Sequence, residues 1–165
     1  MNGWYWTAAA AFVAIACWTD IRRMRIPNGL NAAFACAGLL VQTVVHGGEG
    51  LGAALVGAAA GALPLALLYR LGGMGGGDVK WFGAFGIWAG PAATLQLLLY
   101  SIVAAGAFAV ALLGMRLPGL RRLALKCAWP WGEHPAQAGR KTTFPFMLAV
   151  APAFAAAAIE SATAG

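Results

Sequence analysis

The chain contains only two aspartates in 165 residues, and each lies in a segment suited to acid–base chemistry. Asp20 is followed by a run of arginines, and Asp78 follows the glycine-rich stretch GGMGGG at 72–77. Two carboxyl groups held close together cannot both ionise easily, so such a pair shares a proton. One member can then deprotonate a water molecule while the other protonates a carbonyl oxygen or a leaving amine.

Simple ion pairing is the other interpretation of each aspartate, because charged residues are common at helix ends. The candidate partners are Arg22 or Arg23 for Asp20, and Lys80 or Arg70 for Asp78. Acids near bilayer depth are usually either paired in this way or functional. Position alone therefore leaves both interpretations open.

The glycines before Asp78 predict a loop with unusual backbone freedom. Gly75, Gly76 and Gly77 permit conformations that are closed to other residues, and they leave room for a substrate backbone. An ordinary flexible turn is the alternative, since a lone GxGD occurs often by chance. A phosphate-binding loop is excluded, because Lys80 is followed by tryptophan where a P-loop has Ser or Thr.

The composition is that of a membrane protein. Hydrophobic residues make up 61% of the chain and charged residues 10%, with a mean hydropathy of +0.74. A soluble domain is nearer ~45–50% apolar and ~25% charged. Only helices or closed barrels satisfy their backbone in lipid, and the Ala/Leu-rich runs lack strand-like alternation. We therefore predict an all-α, polytopic membrane protein. Its N-terminal helix is retained, because no basic residue precedes the apolar stretch.

Six spans are predicted from the apolar runs and their Gly/Pro breaks. A single helix over 79–115 would be about 55 Å long at ~1.5 Å per residue, against a hydrocarbon core of about 30 Å. The break is placed at Ala89-Gly90-Pro91, which leaves a fourth span too short to cross fully by itself. The stretch GGEG at 47–50 is the turn between the second and third spans. The spans are 3–19, 29–45, 51–71, 79–90, 92–115 and 142–159.

The basic residues determine the orientation of these spans. With six crossings, all eleven Lys and Arg residues lie on one side, which the positive-inside rule makes cytoplasmic. Asp20 and Asp78 then lie at the cytoplasmic face of the plasma (inner) membrane, and both termini lie outside. The basic segment 116–141 is expected to contact anionic membrane lipids. The positive-inside rule already explains the excess of basic residues and the net charge of +6. No nucleic-acid partner is therefore expected.

Several small and aromatic residues are interpreted as structural. Gly57 and Gly61 have the small-xxx-small spacing, and the glycines at 83, 86 and 90 line the fourth span; both sets are expected to allow close helix packing. The seven tryptophans, among them Trp81 and Trp88, fall mostly near predicted membrane ends, where interfacial anchors occur. The three cysteines show no CxxC spacing, so neither a metal site nor a disulfide framework is predicted, and no cofactor is expected.

Three segments together resemble the type IV prepilin peptidases. They are GMGGGDVKWFGAFGIWAG (73–90), WTDIRRMRIPNGLN (18–31) and FPFMLAVAPAF (144–154). The resemblance implies a membrane aspartic endopeptidase that removes the basic leader from prepilins or pseudopilins on the cytoplasmic side. It assigns the catalytic role to Asp20 and Asp78, and it places Gly75, Gly77 and Lys80 in the active-site loop.

The chain also departs from many members of that family. It has no paired CxxC motifs and no room for an N-terminal zinc or methyltransferase domain, so residues 1–165 are predicted to form a single peptidase domain. It is similar to the short forms that serve Flp/Tad-type pili. The alternative is a non-enzymatic transporter or pilus assembly subunit, with the aspartates as ion-pair or proton-relay residues. Relay acids are expected nearer the bilayer midplane. The particular substrate and the oligomeric state are left open.

Overall fold

The computed structural model describes residues 3–126, 129–131, 134–136 and 144–163, and the elements within them are α-helices. In chain order they are α1 (Gly3–Arg23), α2 (Asn28–Arg70), α3 (Gly76–Gly114), α4 (Pro118–Ala124) and α5 (Met147–Thr163).

The long helix α2 is a hairpin of two helices that reverses at Gly47. This residue has φ 62° and ψ −145°, which lie outside the helical region and favour glycine. A Cβ atom on Gly50 would contact the backbone carbonyl of Gln42. Residues eight apart in a straight helix are separated by about 12 Å, so the contact requires the chain to double back. The two halves are 28–46 and 48–70.

The helix α3 is a second hairpin, which reverses at Gly90 with φ 75° and ψ 174°. Phe82 and Thr94, on either side of this glycine, both lie against Gly61 of α2. Two residues so far apart in one helix reach the same neighbour only if the helix folds back. The halves of α3 are 76–89 and 91–114.

The reversal at Gly90 confirms the predicted break, whereas the predicted turn at 47–50 is wrong in extent. Only Gly47 leaves the helical conformation there, and the helix resumes at the next residue. Two helices, Asn28–Arg70 and Gly76–Gly114, are long and apolar enough to cross a membrane, and Met147–Ser161 is a shorter apolar helix. Since both long helices fold back, six crossings remain a prediction.

Small residues bring α2 and α3 into backbone contact. A Cβ atom on Gly57 would overlap the carbonyl of Gly86, and one on Gly61 would overlap the carbonyl of Phe82. A Cβ atom on Gly83 would lie 3.4 Å from that of Ala62. The predicted close packing is therefore confirmed, and it holds the half-helix 76–89 against the half-helix 48–70.

A column of aromatic rings joins α1, α2 and α3 in the core. Ring centroids are 3.8 Å apart for Phe34 and Phe12, 5.0 Å for Phe12 and Trp81, and 5.4 Å for Trp81 and Phe85. The Trp88 indole N–H donates to the Phe34 carbonyl at 2.8 Å. The prediction that the tryptophans are anchors at the membrane–water interface is therefore wrong for Trp81 and Trp88. Both side chains are buried against neighbouring helices.

Candidate active site

Asp20 lies in the last turn of α1, just before a sharp change of direction. Met24 has φ 49°, and its N–H donates to the Asp20 carbonyl at 2.7 Å, which ends the helix as a left-handed cap. This conformation costs about 1 kcal/mol for a residue with a Cβ atom. Ile26 is buried next, and Pro27 then precedes α2. The turn sets the direction in which the chain leaves Asp20.

Asp78 lies in the first turn of α3, where its N–H donates to the Gly75 carbonyl at 3.2 Å. The predicted loop over Gly75, Gly76 and Gly77 is wrong in position. Gly75 caps the helix with φ −81°, and Gly76 and Gly77 are already helical. Within the glycine-rich stretch 72–77, the residue with positive φ is Gly72, at 74°, in the turn after α2.

Gly75 leaves space beside Asp78. A Cβ atom at this position would lie 3.1 Å from Oδ2 of Asp78, a tight contact from which the carboxyl group would have to shift by a few tenths of an ångström. The absent side chain therefore leaves the carboxyl group its place at the start of α3. A Cβ atom on Gly77 would have an ordinary contact of 3.6 Å with Ile26.

We expect Gly75→Ala to displace the Asp78 carboxyl and to lower the activity of the site by about tenfold or more, because small misplacements of reacting groups are costly. Gly29→Ala is the matched control, since a Cβ atom there has nothing within 4 Å. The measurement is the initial rate of the leader cleavage that the resemblance implies, at equal protein levels. Equal rates for the two variants would show that the carboxyl group does not need this space.

Asp20 and Asp78 line the same pocket, which has a volume of about 410 Å³. Asp20 is 6% exposed and Asp78 is 9% exposed, so both acids are buried. The remaining lining comes from Met24, the 72–75 turn and residues 144–146. The structure thus brings the two predicted acids together at one end of the helices. Of the predicted loop residues, Gly75 lines the pocket, whereas Gly76, Gly77 and Lys80 do not.

Two of the proposed ion-pair partners bind other groups. The Lys80 ammonium donates to Oδ1 of Asn28 at 2.9 Å. The Arg22 guanidinium lies over the Trp18 ring, 4.0 Å from its centroid. These contacts give Lys80 and Arg22 roles other than neutralising the adjacent acids.

Residues 144–146, which lead into α5, complete the pocket, and the sequence reasoning missed the contact of the first residue of α5 with Asp20. The Met147 backbone N–H donates to Oδ2 of Asp20 at 3.1 Å, across 127 positions of sequence. Free N–H groups at a helix N-terminus favour an anion, so this contact fixes one carboxylate oxygen. The Cys17 thiol donates to the Met147 carbonyl at 3.5 Å and strengthens the junction between α1 and α5. The FPF segment at 144–146 was a signal for this element, but not for its contact.

The fold and the pocket define a class of protein, namely a helical membrane protein with two carboxyl groups from different helices in one site. The model of the type IV leader peptidase family matches residues 7–110, which contain both aspartates, and the chain belongs to this family. It is therefore a membrane-associated peptidase. No curated protein and no solved structure matches the chain. The α5 contact with Asp20 lies outside the matched segment.

Proposed function

We propose that the chain is an aspartic endopeptidase that removes the leader from Flp-like type IV prepilins or pseudopilins, with Asp20 and Asp78 as its catalytic residues. The single observation that carries this proposal is that the two acids, from α1 and α3, line one pocket. Family membership supports peptidase chemistry, and the pocket supports the choice of residues.

The proposed reaction is the direct attack of water on a peptide carbonyl. One carboxylate takes a proton from the water as its oxygen bonds to the carbonyl carbon, and the other carboxyl group gives its proton to the carbonyl oxygen. The carbon–nitrogen bond then breaks as the first carboxyl group gives the proton it took from water to the amine nitrogen. The second carboxylate takes its proton back from the hydroxyl oxygen as the carbonyl re-forms, which restores both groups. The Met147 N–H donates to one oxygen of Asp20, and Asp20 lines the pocket in which the reaction is proposed to occur. The substrate must be extended there, because a helix uses its own carbonyls in hydrogen bonds.

The proposed location of cleavage is the cytoplasmic face of the plasma membrane. The charge distribution supports it, because Arg22 lies in the last turn of α1, near Asp20, and Lys80 lies near the start of α3, close to Asp78. Six crossings then place both termini outside, and the basic segment 116–141 against anionic lipid headgroups. A reporter fused after residue 163 should be active only outside the cytoplasm.

The direct test uses the full chain, purified in detergent, with an Flp-like prepilin that retains its leader. We expect two products, which mass spectrometry places on either side of a single bond just before the apolar helix of the substrate. The proposed reaction needs only the two carboxyl groups and water, so EDTA should leave the rate unchanged. A substrate with a scrambled leader junction is the control. No cleavage by folded protein, or equal cleavage of the scrambled junction, would contradict the proposal.

A further inference from the structure

The two segments that bear the acids are joined by a hydrogen bond between side chains that lie outside the pocket. Asn28 is the first residue of α2, and Lys80 lies in the first turns of α3. The Lys80 ammonium donates to Oδ1 of Asn28 at 2.9 Å, across 52 positions of sequence. The charged donor strengthens this bond, whereas the exposure of both side chains to solvent weakens it.

Two further contacts lie beside this bond. The Asn31 side chain, 4% exposed, donates through Nδ2 to the Gly77 carbonyl at 3.4 Å. Ile26 packs against Gly77, where a Cβ atom would lie 3.6 Å away. The start of α2 is thus attached to the residue that immediately precedes Asp78 and to Lys80, two residues beyond it.

The same end of α2 is close to Asp20 along the chain. The turn at Met24 and the short link to Pro27 connect the last turn of α1 directly to Asn28. Movement of the start of α2 relative to α3 would therefore change the position of Asp20 relative to Asp78. Of the two side-chain hydrogen bonds described here, the Asn28–Lys80 bond at 2.9 Å is shorter than the Asn31–Gly77 bond at 3.4 Å.

We propose that Asn28 and Lys80 are positioning residues, whose hydrogen bond holds the two carboxyl groups at their working separation. This role rests on the proposed function of the pocket. Lys80 acts through Asn28, and it does not itself bind the substrate.

Kinetics of four variants test the role of the bond. Asn28→Ala and Lys80→Met each remove it, and we expect kcat to fall by about tenfold or more while KM changes by less than about twofold. Asn28→Asp keeps the acceptor and should retain activity. The exchange of both residues, Asn28→Lys with Lys80→Asn, restores a lysine–amide bond in reverse and should recover most of the lost kcat. Lys126→Met is the control for the loss of an exposed lysine.

The exchange variant separates positioning from direct substrate binding. If Lys80 binds the substrate, Lys80→Met raises KM, Asn28→Ala has little effect, and the exchange does not recover activity. That pattern would overturn the proposal. Wild-type values for both single variants would overturn it as well.

A second readout does not depend on cleavage. In a background without the native cysteines, Asp20→Cys and Asp78→Cys introduce a thiol pair whose cross-linking yield reports the separation of the two positions. We expect Lys80→Met to lower that yield and the exchange of residues 28 and 80 to restore it. An unchanged yield in Lys80→Met would overturn the positioning role. If wild-type protein cleaves no prepilin but the cross-linking yield responds as expected, the proposed function fails. The role of the Asn28–Lys80 hydrogen bond in holding positions 20 and 78 then stands.

Discussion

Asp78→Asn and Asp20→Asn should each reduce leader cleavage by roughly 10²–10⁴-fold or more, because each removes one partner of the proton transfer. Asparagine keeps the shape of the side chain and an acceptor oxygen. The Met147 N–H can therefore still donate at position 20, and the start of α3 keeps its geometry. The loss would then report the missing acid and not a missing contact. The measurement is the processing of a co-expressed prepilin, with membrane levels of each variant checked by blot.

Glu160→Gln is the matched control for both acid-to-amide changes. Glu160 is an exposed carboxylate on α5 that accepts hydrogen bonds from Gln96 at 2.8 Å and from Tyr100 at 2.7 Å, and it does not line the pocket of the two aspartates. We expect this variant to process prepilin at the wild-type rate. Normal processing by either aspartate variant would show that this acid is not needed for cleavage. The proposed mechanism with two carboxyl groups would then be wrong.

Gly86→Ala should destabilise the protein by about 1–3 kcal/mol or more, because overpacking of a close contact forces the backbone to move. The new Cβ atom would overlap the carbonyl of Gly57, which a side-chain rotation cannot relieve. In this variant the half-helix 76–89 would be pushed away from the half-helix 48–70. Because the half-helix 76–89 also bears Asp78, activity should fall together with stability. The measurement is the fraction of monodisperse protein that remains after stepwise heating in detergent.

Gly106→Ala is the control for the glycine substitution. It lies inside α3, has no atom within 4 Å of the added Cβ, and should leave stability equal or raise it by about 0.5–1 kcal/mol through the helix preference of alanine. Equal melting of Gly86→Ala and Gly106→Ala would show that the contact between Gly57 and Gly86 does not hold the helices together.

Local features of the sequence were sufficient for the fold class and for the choice of candidate acids. The lengths of the apolar runs and the break at Gly90 depend only on neighbouring residues, and the helical hairpin of α3 confirms that break. The acids were identifiable because the chain contains only two aspartates, each at the end of an apolar run. Their placement on one side of the membrane is a prediction from the number of spans between the basic residues, and the structure brings them together in one pocket.

Contacts between distant segments needed the tertiary structure. An apolar pattern shows which residues avoid water but not which helix covers them, so Trp81 was misplaced at the interface although it packs between Phe12 and Phe85. The spacing of glycines likewise does not show why a position is glycine. It can be there because the backbone has a positive φ or because a neighbouring atom occupies the space of a side chain. The structure shows that Gly75 needs space beside Asp78.

The sequence by itself determined a helical membrane protein with two candidate acids at one end, because hydrophobicity and charge are properties of individual residues. Only the tertiary structure decided how those acids are held. The Met147 N–H reaches Asp20, and Lys80 bonds to Asn28, because helices far apart in the chain pack at particular crossings. Such crossings depend on the joint shapes of both surfaces, which no single segment specifies.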